Sequence, residues 1–183
     1  MLTSYFHFQL PVLALISAIL YFPFALIRKR RLGPRPMVRH ITLFAMVGYV
    51  LSLLYLTILW YWPEINFHPG YYLLNLRPFI WLNETYEMGA GKMLSQLLLN
   101  ILMFVPLGLL LPMTFTRMRA FWKTALTALC ATVAIETVQY FIGRSADIDD
   151  VIMNVIGGML GYALFGLCNR LLQKSGLWRK ALG

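Results

Sequence analysis

Five windows of about 18 or more largely apolar residues, near 9–27, 41–62, 94–112, 120–142 and 149–169, limit what this chain can become. At about 1.5 Å of rise per residue, each is long enough as a helix to cross roughly 30 Å of hydrocarbon. Backbone N–H and C=O groups find no water at that depth, so a crossing segment must satisfy them internally, as a helix does. The expected architecture is all-α: a polytopic membrane helical bundle of about five transmembrane helices, a single domain over 1–183. Composition agrees, since 60% of residues are hydrophobic, 13% are charged and mean hydropathy is +0.67, too apolar for an ordinary soluble domain.

A net charge of +9 raises the question of a nucleic-acid partner, but the placement of the charges excludes one. Six Lys/Arg lie between the first two windows (Arg28, Lys29, Arg30, Arg31, Arg35, Arg39), three between the third and fourth (Arg117, Arg119, Lys123) and four after the fifth (Arg170, Lys174, Arg179, Lys180). Arg77, Lys92 and Arg144 belong to the other side, and all seven acids lie there or in the outer part of a window. Cytoplasmic loops carry the Lys/Arg excess, so the N-terminus is expected outside and the C-terminus inside. The basic runs serve as topology signal and as attraction to anionic headgroups. No positive n-region precedes the first window and no small-residue cleavage site follows it, so the first span is expected to be retained.

The connection 63–92, PEINFHPGYYLLNLRPFIWLNETYEMGAGK, falls on the outside. Pro63, Pro69 and Pro78 prevent one continuous helix, and Tyr71, Tyr72, Trp81 and Tyr86 suit the headgroup level. Two readings stay open: a segment that returns to cover the outer mouth of the bundle, or a plain surface loop. Cys130 and Cys168 have no CxxC or Cys/His pattern and read as packing residues.

Polar residues inside the windows carry the functional information. In the third, Asn100 interrupts an apolar run and Pro106 removes a backbone donor, so a kink or an internal hydrogen-bond partner is expected. In the fourth, Glu136, Gln139 and Tyr140 share a helical face, with Glu136 about six residues, or roughly 9 Å, below the outer end. In the fifth, Asp150, Asn154, Gly157 and Gly161 form one stripe, and the GxxxG pair Gly157 and Gly161 lets another backbone approach closely. Asn100, Glu136 and Asn154 thus lie at a common depth on three spans. A carboxylate there costs several kcal/mol unless it faces the interior and finds partners, so Glu136 is expected to look inward. Between the last two windows GRSADIDD supplies Arg144 and three carboxylates; Asp147-x-x-Asp150 has capping-box spacing, with Asp in place of Glu.

The pieces NLRPF (75–79), NILMFVPLG (100–108), ETVQ (136–139) and RSADIDDVIMNVIGGMLG (144–161) resemble, in order and spacing, the shared motifs of the VanZ-like membrane proteins. The resemblance covers about 75–165. It implies a multi-pass protein of the bacterial cytoplasmic membrane, because the founding member of that family is associated with resistance to teicoplanin, a lipid-tailed glycopeptide antibiotic. Carried residue by residue, the motifs fall on Arg77, Pro78, Asn100, Phe104, Pro106, Gly108, Glu136, Gln139, Asp147, Asp150, Asn154, Gly157, Gly158 and Gly161. The family brings no agreed chemical reaction with it.

Two mechanisms are expected to compete. In the first, a non-catalytic, outward-facing pocket of Arg77, Asn100, Glu136, Gln139, Arg144, Asp147, Asp150 and Asn154 binds a lipid-linked peptidoglycan precursor or a lipoglycopeptide, with guanidinium forks on phosphate or carboxylate. In the second, an intramembrane enzyme uses Glu136 as general base and Asp150 or Asp147 as acid or metal ligand on a lipid-linked substrate. An all-oxygen donor set would favour hard cations such as Mg²⁺ or Ca²⁺, although no dedicated cofactor motif is present. A transporter finds little support, because the five spans show no internal repeat.

Overall fold

The computed structural model describes residues 10–60, 74–79 and 90–183. Its long elements are α1 (Leu10–Leu32), α2 (Met37–Thr57), α3 (Ala90–Thr114), α4 (Phe121–Phe141) and α5 (Ile148–Leu172), all long and apolar enough to cross a membrane. A short helix α6 (Gly176–Leu182) follows, and two-residue strands β1 (Leu74–Asn75) and β2 (Ala146–Asp147) pair in parallel. The protein is an all-α polytopic bundle.

Helix ends depart from the apolar windows by several residues because backbone chemistry sets them. The first helix runs on through Lys29, Arg30 and Arg31, cations that suit the negative end of its dipole. It stops where Gly33, at φ +79°, returns its N–H to the Lys29 carbonyl (3.0 Å). Pro34 and Pro36 then fix the turn into α2. Among the described side chains of α1, those of Leu13, Ser17 and Tyr21 are buried, a stripe four residues apart, while most of the others face outward; α1 packs on α2.

The most extensive interface joins α3 to α5, and glycine makes it. A Cβ on Gly157 would collide with the Ile101 carbonyl, one on Gly161 with the Val105 carbonyl, and one on Gly108 with the Gly158 carbonyl. The two backbones therefore touch, as the GxxxG spacing predicts, and the stripe is spent inside the bundle. Gly158 points elsewhere, toward the Ala128 methyl of α4 (2.7 Å from an added Cβ), so α5 packs on both neighbours. Phe104, fully buried, anchors the core with Leu107 and Leu111 of α3, Ala128 and Ile135 of α4 and Leu53 of α2. Helix α3 continues through Pro106 and Pro112, and beside the missing donor Tyr49 of α2 gives its hydroxyl to the Met103 carbonyl (3.0 Å). Cys130 is exposed on the outer face of α4 and so does not pack in the core.

At the basic end, the last four carbonyls of α3, orphaned by helix geometry, are all met. Phe115 N–H serves Leu111 (2.8 Å), Arg119 Nε serves Pro112 (3.3 Å), and buried Arg39 serves Met113 and Thr114 (both 2.6 Å). Arg39 also reaches the Ala181 carbonyl of α6 (2.8 Å), docking that helix beneath the bundle.

Candidate functional site

The opposite end gathers the motif residues. Helix α4 closes in a Schellman turn: Gly143, at φ +90°, returns its N–H to the Tyr140 carbonyl (3.2 Å), and Arg144 returns its own to Gln139 (2.9 Å). The reversed chain enters β2, which pairs with β1 in the register Leu74 to Ala146 and Asn75 to Asp147. Segment 74–79 is thereby fixed against the start of α5. The other residues of the 63–92 connection, with their Tyr and Trp candidates, lie outside the described residues.

Three consecutive-turn acids take three different partners. Asp147 is the N-cap of α5: its Oδ1 accepts from Asp149 N–H (2.8 Å) and from Asn75 Nδ2 (3.1 Å). The reciprocal bond, which a capping box would assign to Asp150, comes from Glu136, whose Oε2 accepts the Asp147 N–H (3.0 Å). Asp150 is released for Asn100, whose Nδ2 donates to Oδ1 (2.5 Å). Asp149 Oδ1 accepts the Phe79 N–H (2.7 Å), holding Phe79 at φ +64°. The Asp149 side chain is buried (4% exposed), yet its Oδ2 has no partner among the described residues.

Glu136 does look inward, and it is buried, but the eight expected pocket residues do not face one space. A cavity of about 900 Å³ is lined by Arg77, Asn100, Arg144, Asp147 and Asp150, together with Asn75, Gln96, Ser145 and Asp149. Glu136 lines a second cavity, of about 320 Å³, on the other side of Asp147, with Thr137 and Tyr140. Gln139 lines neither: its Nε2 donates to the Thr57 carbonyl (2.9 Å), the orphan at the end of α2, to which Arg144 Nη1 also donates (3.4 Å). Asn154 lies a turn deeper than Asp150 and bonds Thr132 Oγ1 of α4 (2.8 Å). A common depth thus did not bring a common face: Glu136 is drawn to a backbone N–H, and Asn154 to the neighbouring helix.

Sequence reasoning gave no role to Asn75 or Asp149. Asn75 opens the NLRPF piece, and Asp149 sits in the first turn of α5, where an acid reads as a dipole partner and nothing more. Their tether function depends on strand pairing that two residues cannot announce.

Chemically, the larger cavity presents guanidinium donors, amides and carboxylate acceptors side by side at the acidic end of the bundle, and part of its lining is apolar (Met93, Leu97, Leu99). That combination fits an amphipathic headgroup. Ser145 lines it, but the described histidine, His40, is bonded to Tyr21 (2.7 Å) at the basic half of the bundle, so no Ser–His pair forms among the described residues. Nor, among them, do three His, Cys, Asp or Glu side chains converge as a metal site would need; Asp147, Asp149 and Asp150 each give an oxygen to an N–H or amide donor instead.

The VanZ/LLP1 family model matches residues 44–169. Protein VanZ of Enterococcus faecium is 35% identical over 107 residues, covering 58% of this chain and 60% of that protein, so the aligned part is less than two thirds of the relative's length. No solved structure matches. With five membrane-capable helices, a tethered NLRPF segment and the acid-capped fifth helix all inside or beside a match that takes in more than half of its length, this chain belongs to the VanZ/LLP1 family.

Proposed function

We propose that this protein binds, in the outward-facing 900 Å³ cavity, the polar head of a lipid-linked cell-envelope precursor or of a lipoglycopeptide, and so contributes to glycopeptide (teicoplanin) resistance at the bacterial plasma membrane. The observation that carries the reading is the lining itself: Arg77 and Arg144 share one cavity with Asp149, Asp150, Asn100 and the apolar Met93, Leu97 and Leu99. Arginine forks suit phosphate or carboxylate, and the acids suit hydroxyl and amine groups, so a sugar-phosphate or glycopeptide head meets both. The apolar residues suit the first carbons of an acyl tail. Sequestering the drug, or altering access to the precursor it recognises, would then protect the cell. Catalysis by Glu136 with Asp150 is less well supported, because the two carboxylates line different cavities and each already accepts a hydrogen bond.

The test uses Arg77→Ala, an exposed side chain whose residue bonds Asn75 Oδ1 through its backbone N–H, so that the fold is spared. Protein in nanodiscs is incubated with teicoplanin or with lipid-linked peptidoglycan precursor and analysed by mass spectrometry. The expected result is retained ligand of unchanged mass, weakened about tenfold in the variant, and a matching fall in teicoplanin resistance in cells. A product of altered mass would replace binding with catalysis; equal retention by both proteins would remove the cavity from the function.

A further inference from the structure

A third cavity, of about 680 Å³, lies at the basic end, where α1, α2 and α3 come together. Arg28, Arg35, Arg39 and Arg117 line it from three separate stretches of sequence. They are not equivalent. Arg39 has given its donors to three carbonyls, and Arg28 donates to the Gly33 carbonyl (3.2 Å). Arg35 and Arg117 make no hydrogen bond or ion pair with any described residue.

Carbonyls satisfy donors without neutralising charge, so four positive charges share one concavity with no carboxylate side chain in its wall. The described acids, Glu136, Asp147, Asp149 and Asp150, are all at the opposite end. Arg35 is half-buried, and burial first, then the Arg28 charge, hold its guanidinium below the usual range. Gly183 forms part of the rim, beside the Arg39 guanidinium. Topology signalling needs only the number of charges, and exposed Arg30 and Arg31 supply it; it does not need half-buried guanidiniums turned into a cavity.

We propose that this cavity is a binding site for the phosphate of an anionic lipid headgroup in the cytoplasmic leaflet, gripped by Arg35 and Arg117 within the field of Arg28 and Arg39. Bidentate guanidinium–phosphate contacts provide the specificity, and the position at the ends of three spans places a bound headgroup level with its neighbours in the leaflet. The site is independent of the outer cavity, and an occupant would brace the junction of α1, α2 and α3.

Native mass spectrometry of the full chain released from nanodiscs, with phosphatidylglycerol or phosphatidylcholine as probe, tests this. Wild type should retain phosphatidylglycerol selectively, Arg35→Gln with Arg117→Gln should lose it by about twentyfold, and Arg30→Gln with Arg31→Gln, removing equal charge outside the cavity, by no more than about twofold. Should the first pair fail to fold, Arg117→Gln alone, at an exposed position, should lose about fivefold. Equal losses in the two pairs, or no preference for the anionic lipid, would overturn the site. So would displacement of the lipid by an equal concentration of inorganic phosphate, which would make the ligand a soluble anion; retention against phosphate supports the lipid.

Discussion

The two ends of the bundle face the same problem, helix termini with unpaired backbone groups, and treat it with opposite charges and to different degrees. At the basic end every terminal carbonyl of α3 is met, chiefly by Arg39 and Arg119, and Arg39 is buried in doing so. At the acidic end Asp147, Glu136 and Asp149 meet the N–H groups of α5 and of segment 74–79, and among the described residues a buried carboxylate oxygen of Asp149 is left over beside a 900 Å³ cavity, where the basic end leaves only the Thr114 hydroxyl. An unpaired buried acceptor costs about 1–3 kcal/mol, and more when the group is charged, so the Asp149 oxygen is the costlier of the two to leave over. The two ends thus differ in what they leave over: a hydroxyl where arginines close the bundle, and a carboxylate oxygen where the motif residues gather.

The largest effect should come from breaking what connects them. Gly157→Leu drives a side chain into the Ile101 carbonyl, and the expected loss, beyond about 4 kcal/mol, should leave no monodisperse protein in gel filtration. Next, Arg39→Ala strands three carbonyls and should cost about 3 kcal/mol or more in detergent-titrated unfolding, while a lysine there recovers only part because one ammonium cannot span all three. If the two ends differ as argued, Asp147→Ala should cost less, about 1–2 kcal/mol, the value of a lost N-cap, and should also free segment 74–79 to proteolysis. Smallest for the fold is Asp149→Asn, which keeps the Phe79 contact and should move stability by less than about 1 kcal/mol while weakening ligand retention several-fold. Were Asp149→Asn as destabilising as Arg39→Ala, both ends would be structural and the contrast would disappear.

Particular residues show how far sequence reasoning reached. Gly157 and Gly161 were readable as a close-approach stripe, because periodicity along one helix fixes which residues share a face. Glu136 was readable as inward-facing, because a lipid-exposed carboxylate is too costly. What Glu136 would touch was not readable, nor that Gln139 would close the end of α2 rather than line a pocket. Helix α6 was hidden too, since its seven residues carry no span-length apolar run and depend on Arg39 for docking.

The sequence by itself determined five crossings, the separation of basic from acidic ends and the glycine seam, since hydropathy, charge and helical period act along the chain and need no partner. Tertiary structure alone decided which polar atoms were spent and which were left over. A hydrogen bond forms only near 3 Å, and Asn75 with Asp147, or Arg39 with Met113, reach that distance across more than seventy residues only once the helices have packed.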